Sequence, residues 1–230
     1  MNFVYICRDG KNEELRYSIR SVLASFPDAK IWVVGGKPDW YKGKYIPVRS
    51  FRNKHDNVRN NIMKMCRSEE IPQDIVIMND DFFIVEKIDD IINYHGGLLK
   101  DKAHLYFKIA PASAYTQKLF RTVAYLIKLG IQEPKDFAMH VPIRVNKTKL
   151  LSSLRHGHMW RSIYGNINQI ESTYMDEDVK YYIDGPLAQK GYDYTTKKFP
   201  YLSSNDNSFD VLHKNILKDM FPDPSPYEKY

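Results

Sequence analysis

The sequence predicts an α/β protein, a mostly parallel sheet flanked by helices with a mixed α+β second half. Three observations carry this. Short apolar runs at residues 3–7, 31–34 and 75–78 alternate with helix-period segments at 13–26 and 58–66. Each run stops at a glycine, a proline or a polar loop, as strands in such units do. With 43% hydrophobic residues, the chain of 230 has enough apolar side chains for one sizeable core.

In order, Phe3-Val4-Tyr5-Ile6-Cys7 reads as a buried first strand, and Arg8-Asp9-Gly10-Lys11-Asn12 as the loop after it. Leu15, Ile19, Val22, Leu23 and Phe26 recur at helical spacing, and Pro27-Asp28 ends that helix. Ile31 to Val34 forms a second strand closed by Gly35-Gly36, and Tyr45 to Val48 a short third. Asp56 is placed to cap a helix whose apolar stripe is Val58, Ile62, Met65 and Cys66. Ile75 to Met78 is the fourth strand.

Beyond it, residues 105–109 read as a strand, 115–129 and 147–154 as helices, and 179–183 as a strand. Turns are expected at Pro186 and Pro200, and 221–230 as a Pro-rich tail. One domain with two halves, 1–110 and 111–230, is expected.

Composition narrows the function. The formal charge of +6 and isoelectric point near 9.0 favour an anionic partner, but the cations are dispersed, with modest clusters at Arg49-Arg52-Lys54 and Lys197-Lys198. No transmembrane run and no secretory pattern are present, and Cys7 and Cys66 read as buried thiols, which together point to a cytoplasmic protein. There is no zinc spacing, no GxGxxG fingerprint and no P-loop.

The candidate chemistry centres on Met78-Asn79-Asp80-Asp81-Phe82-Phe83. Two adjacent carboxylates at the tip of a buried strand can offer hard oxygens to magnesium or manganese where an α/β sheet opens to ligand. The same pair would also serve as turn caps. Arg8 and Asp9 lie at the tip of the first strand, where a guanidinium can fork onto phosphate and a carboxylate can bond ribose or base. Asn57, Asn60, Asn61 and Lys64 share one helix face suited to a nucleotide or to solvent. His140, beside Pro142, is a candidate acid or base; Arg161 can hold a phosphate; and Asp206 lies in a polar run that either lines an acceptor site or caps a helix.

Asn12-Glu13-Glu14-Leu15-Arg16-Tyr17-Ser18-Ile19-Arg20-Ser21-Val22, the strand from Lys30, Asn79-Asp80-Asp81-Phe82-Phe83 and His140-Val141-Pro142 together resemble segments of the Stealth family of capsular-polysaccharide sugar-phosphate transferases. Small phage and bacterial glycosyltransferases of the GT-A fold share much of that layout. The resemblance implies a GT-A-like sheet and transfer from a nucleoside-diphosphate sugar, such as a UDP-sugar, held by manganese or magnesium. It places Asp80 and Asp81 as metal carboxylates and His140 and Arg161 at catalytic positions. Read together with the motifs above, Asp81 and Asp206 are also expected to be catalytic, Arg8, Asp9, Arg16, Lys54, Asn57, Asn61, Asn79 and Asp80 to face the donor, 1–110 to be the nucleotide-sugar-binding half and 111–230 the acceptor-binding half. The expected activity is metal-dependent glycosyl transfer to a glycan or a modified DNA base. The alternatives are sugar-phosphate transfer and a non-catalytic nucleic-acid or glycan binding module.

Overall fold

The computed structural model describes residues 1–49, 54–184 and 199–229, with the side chains of 54–56 outside that description. The first segments follow the expected alternation: β1 (Asn2–Cys7), α1 (Glu13–Ser25), β2 (Lys30–Gly35), β3 (Lys44–Pro47), α2 (Lys54–Arg67), β4 (Asp74–Met78) and β5 (Phe82–Ile84). Then come β6 (Tyr94–His95), α3 (Leu99–Ile109), α4 (Ala114–Lys128), β7 (Ile143–Asn146), α5 (Lys147–Ser153), α6 (Trp160–Ile167) and β8 (Thr173–Tyr174). The described chain resumes with β9 (Tyr201–Ser203) and α7 (Asp206–Leu212), which runs on through a π-helical turn at His213–Leu217.

The residues divide into two compact units. The first comprises Met1–Ile91, His140–Lys147 and Val179–Tyr230; the second comprises Ile92–Met139 and Thr148–Asp178. The expected halves, 1–110 and 111–230, divide the chain by ligand and not by compactness.

The first unit is built on a five-stranded sheet in the order β3-β2-β1-β4-β7. The first four strands are parallel and β7 is antiparallel to β4, so the α/β class with a mostly parallel sheet is as expected. Its central strands β1, β2 and β4 are largely buried: Phe3, Val4, Tyr5, Val33, Val34, Ile77 and Met78 are all inaccessible to solvent. From β1 the chain builds outward through β2 and β3, then crosses back to lay β4 on the other side. That reversal leaves a crevice at the carboxyl ends of β1 and β4.

α1 is a structural rivet. Ser18 and Ser21 are fully buried. Ser18 Oγ bonds the Phe82 carbonyl and lies 3.0 Å from the Tyr5 hydroxyl, and Ser21 Oγ accepts the Ile84 N–H at 3.0 Å. These bonds fasten β5, which pairs antiparallel with β9, directly after the acidic turn. Tyr17, Phe83, Leu202, Phe209, Leu212 and Leu217 pack a second apolar cluster beneath it.

The second unit is mainly helical. Leu99, Ala103, Leu119, Leu126 and Ile163 form its core, with Tyr106 and Tyr115 against it. Lys102 Nζ meets buried Asp136 at 2.8 Å, and Ser113 caps α4 by accepting the Thr116 N–H.

Four expectations are corrected. Residues 105–109 are helical: Leu99, Ala103 and Tyr106 face the core at i, i+4 and i+7, while Leu105 and Phe107 point to solvent, so their alternation with polar neighbours imitated a strand. Residues 179–183 make a single bridge, Lys180 to Ser203, and not a strand. Asp56 lies within the first turn of α2, which begins at Lys54, and so is not its cap. The 221–229 segment is docked and not a loose tail. Phe221 and Glu228 are buried, Glu228 bridges to Tyr41, and the Tyr227 ring stacks on Tyr41. The turn at Pro186, Arg52 and the Lys197-Lys198 cluster lie outside the described residues.

Candidate active site at the tips of β1 and β4

β4 ends at Met78, and Asn79-Asp80-Asp81 turns the chain into β5; the Phe82 N–H closes the turn on the Asn79 carbonyl at 3.3 Å. A second bond, from the Ser204 N–H to the Asp81 carbonyl at 3.1 Å, fixes the turn from the β9 side. The acidic side chains are therefore held by backbone on both flanks.

Opposite, the loop after β1 ends at Asn12, whose φ of 48° lies in the left-handed region that asparagine tolerates. Asn12 does two things at once. Its Oδ1 caps α1 by accepting the Leu15 N–H at 3.0 Å, and its Nδ2 donates to Asp80 Oδ2 at 2.7 Å. Gly36, at the end of β2, lies so close to this loop that a Cβ there would stand 2.3 Å from the Asp9 nitrogen. Only glycine lets the tips of β1 and β2 approach in this way.

Asp81 Oδ2 meets Lys180 Nζ at 2.8 Å, with both side chains largely buried. Asp81 Oδ1 is buried and has no hydrogen-bond partner among the described residues. Glu14, in the first turn of α1, accepts from Ser204 Oγ at 3.2 Å. Burial, then the Asp80 and Asp81 charges, push its carboxyl up to about 7. Burial and Asp81 push Asp80 up to about 6, against the lowering bond from Asn12 and the charge of Arg8. The Asp80 and Asp81 charges thus add to burial in raising the proton affinity of Glu14, and the Asp81 charge does the same at Asp80.

The other candidates sort as follows. Arg8 and Asp206 form an exposed pair at 2.6 Å, which joins the β1 loop to the first residue of α7. Asp9 and Asn79 lie on the same two strand tips as the carboxylates. His140 sits just before β7, its ring edge-on to Phe82 at a centroid separation of 6.2 Å, beside the acidic turn. Arg16 is bound to Glu228 at 2.6 Å and Glu13 at 2.8 Å. Asn61 is buried, and its Nδ2 donates to the Cys7 carbonyl at 3.2 Å, joining α2 to the end of β1. Asn57 is half-buried on α2; Lys54 opens that helix and its side chain lies outside the described residues. Arg161 belongs to the second unit, where its Nη1 donates to the Met139 carbonyl at 3.0 Å.

Sequence reasoning missed Asn12, Glu14 and Lys180. Asn12 was legible as a cap, directly before Glu13-Glu14. Its bond to Asp80 spans 68 positions, and that of Lys180 to Asp81 spans 99, and neither pairing leaves a local pattern.

Among the described residues no group of three or more His, Cys, Asp or Glu side chains is placed to hold a metal ion. Two carboxylates, one with an unengaged oxygen, still fit a hard cation that completes its shell with substrate phosphates and water.

Fold and crevice define an α/β protein with paired carboxylates at a topological switch point. No protein family matches the chain, and no curated protein does. Two solved structures of LgtC are similar. One is galactosyltransferase LgtC in complex with donor and acceptor sugar analogues (10% identity, TM-score 0.45, 98% of each chain covered). The other is an active-site mutant of LgtC (13% identity, TM-score 0.43, covering 79% of this chain and 75% of that one). Neither likeness bears on activity.

Proposed function

We infer that the chain is a glycosyltransferase that takes a nucleoside-diphosphate sugar as donor and works with a divalent cation. The supporting observation is the strained group of Glu14, Asp80 and Asp81 at the β1–β4 crevice, with Asp81 Oδ1 unpartnered among the described residues. Like charges confined together are costly in isolation and become favourable around a cation.

Asp80 and Asp81 would hold the cation, which supplies positive charge to the diphosphate as it leaves. Arg8 and Asp9 face the donor from the β1 tip, Arg8 as a phosphate partner released from Asp206. Asn12 holds Asp80 in place. Asn79 lines the same turn. The sugar C1–O bond to the diphosphate breaks, and a bond from an acceptor hydroxyl oxygen to C1 forms. His140 takes the hydroxyl proton, its ring lying edge-on to Phe82 directly after the acidic turn.

The test is nucleotide release from UDP- and GDP-sugars by the purified protein, with manganese or with chelator, in the presence of glycan and modified-DNA acceptors. The expected result is metal-dependent turnover of one donor. Failure to bind or turn over any of them with metal present overturns the assignment.

A further inference from the structure

The hairpin of α3 and α4 carries an unusual surface. Residues 99–129 contain five lysines and one arginine against a single aspartate, a net +5 in a chain whose total is +6. This pair of helices is thus one of the basic stretches of the chain; residues 30–67, with ten lysines and arginines against two aspartates, are another. Lys102 is turned inward to Asp136, but Lys100, Lys108, Arg121 and Lys128 are all exposed.

Large apolar side chains stand among these cations. Phe107 is 55% exposed, Phe120 37% and Ile127 46%. They form a contiguous patch and not scattered singles. The Phe107 and Phe120 rings meet edge-on at 6.1 Å across the two helices, and His104 meets Phe120 at 5.7 Å. On α4, Phe120, Ala124 and Ile127 fall on one stripe at i, i+4 and i+7, flanked by Arg121 and Lys128. On α3, Lys100, His104, Phe107 and Lys108 share a face in the same way.

We propose that the α3–α4 face is a docking surface for an anionic lipid bilayer. Aromatic and aliphatic side chains enter the headgroup region while lysines and arginines at the rim pair with lipid phosphates; an amphipathic helix surface binds at the interface by this combination. Charge complementarity selects the occupant. A second copy of the same face would set these cations against their own kind, and a nucleic acid would leave the Phe107–Phe120–Ile127 stripe in water. The inference is independent of the transferase reading, since it uses none of the residues of the crevice.

The experiment is co-sedimentation of the full chain with large unilamellar vesicles of phosphatidylcholine alone or mixed with phosphatidylglycerol. Binding is expected to the mixed vesicles only, and to weaken steeply as salt rises from about 0.05 to about 0.5 M. Neutralising Lys108→Gln, Arg121→Gln and Lys128→Gln together should lower the partition coefficient on the order of a hundredfold. Phe107→Ala with Phe120→Ala should weaken it with little change in salt slope; all five positions are exposed, and circular dichroism melts confirm that both variants fold. Three outcomes overturn the proposal: no binding to anionic vesicles at low salt, binding undiminished in both variants, or a patch-dependent dimer or nucleic-acid complex without vesicle binding.

Discussion

Asp80 and Glu14 make the pH response of the protein readable at single residues. Unfolded aspartate and glutamate titrate near ~3.9 and ~4.3. In the fold they are raised to about 6 and about 7. A raised carboxyl favours the protonated form, so its contribution to stability is complete below about pH 4 and is lost as the pH rises through the folded values. Metal-free protein should therefore melt at lower temperature at pH 8 than at pH 5, and Glu14→Gln should flatten that decline, as differential scanning calorimetry in chelator would show. Glu228 acts in the opposite sense and in another window. Burial alone would raise it, but bonds from Arg20, the Ser225 N–H and Arg16 hold it at about 2, so its contribution is lost only as the pH falls below about 4. Asp80→Asn and Asp81→Asn should each reduce transferase turnover by more than about a hundredfold. Asp80→Asn should leave the melting temperature unchanged or raised, because it removes a charge from a repelling group, whereas Asp81→Asn leaves Lys180 without its carboxylate and should lower it.

At the scale of elements, α1 shows how one sequence motif can carry the architecture of the fold. The Glu-Leu-Arg-Tyr-Ser-Ile-Arg-Ser run suggested donor contacts, Arg16 among them. Its serines fasten β5, and its arginines grip the last segment of the chain. Arg20 meets buried Glu228 at 2.7 Å and also donates to the Phe221 carbonyl at 3.0 Å. Glu228→Gln leaves two guanidinium groups without their shared counter-charge and should cost about 3 kcal/mol, read as a shift in the urea midpoint. The sheet was legible because β1, β2 and β4 are continuous apolar runs, which only a doubly covered sheet buries. The strand tips were legible too, since charge directly after such a run has to meet solvent or a ligand. α3 was not, because exposed Leu105 and Phe107 broke the helical period. The docked 221–229 segment was hidden by its prolines, which rule out helix and strand but not packing. The bond of Asn61 was hidden for a related reason: its neighbours on the helix face are polar, and nothing local shows that its amide donates to the Cys7 carbonyl.

Across the whole molecule, the two units are interleaved along the chain: it leaves the first after Ile91, returns for His140–Lys147, and returns again at Val179. Lys147 marks one passage, its Nζ bonded to the Ser68 and Ile71 carbonyls at the end of α2. The crevice residues from both ends of the sequence, Asn12, Asp80, Lys180 and Asp206, all belong to the first unit. Ligand binding there should stabilise the fold by mass action. With donor nucleotide and manganese at a hundredfold excess over their dissociation constant, the gain is about 2.7 kcal/mol, or several degrees in melting temperature. Thermal shift assays should show that gain and its loss in Asp80→Asn.

The Arg20–Glu228 clasp joins positions 208 apart. During synthesis Arg20 emerges long before Glu228 and stays without that counter-charge until the later residue has been made. Maturation of this clasp therefore waits on Glu228, and a nascent chain halted before it would be a sensitive target for chaperones and proteases.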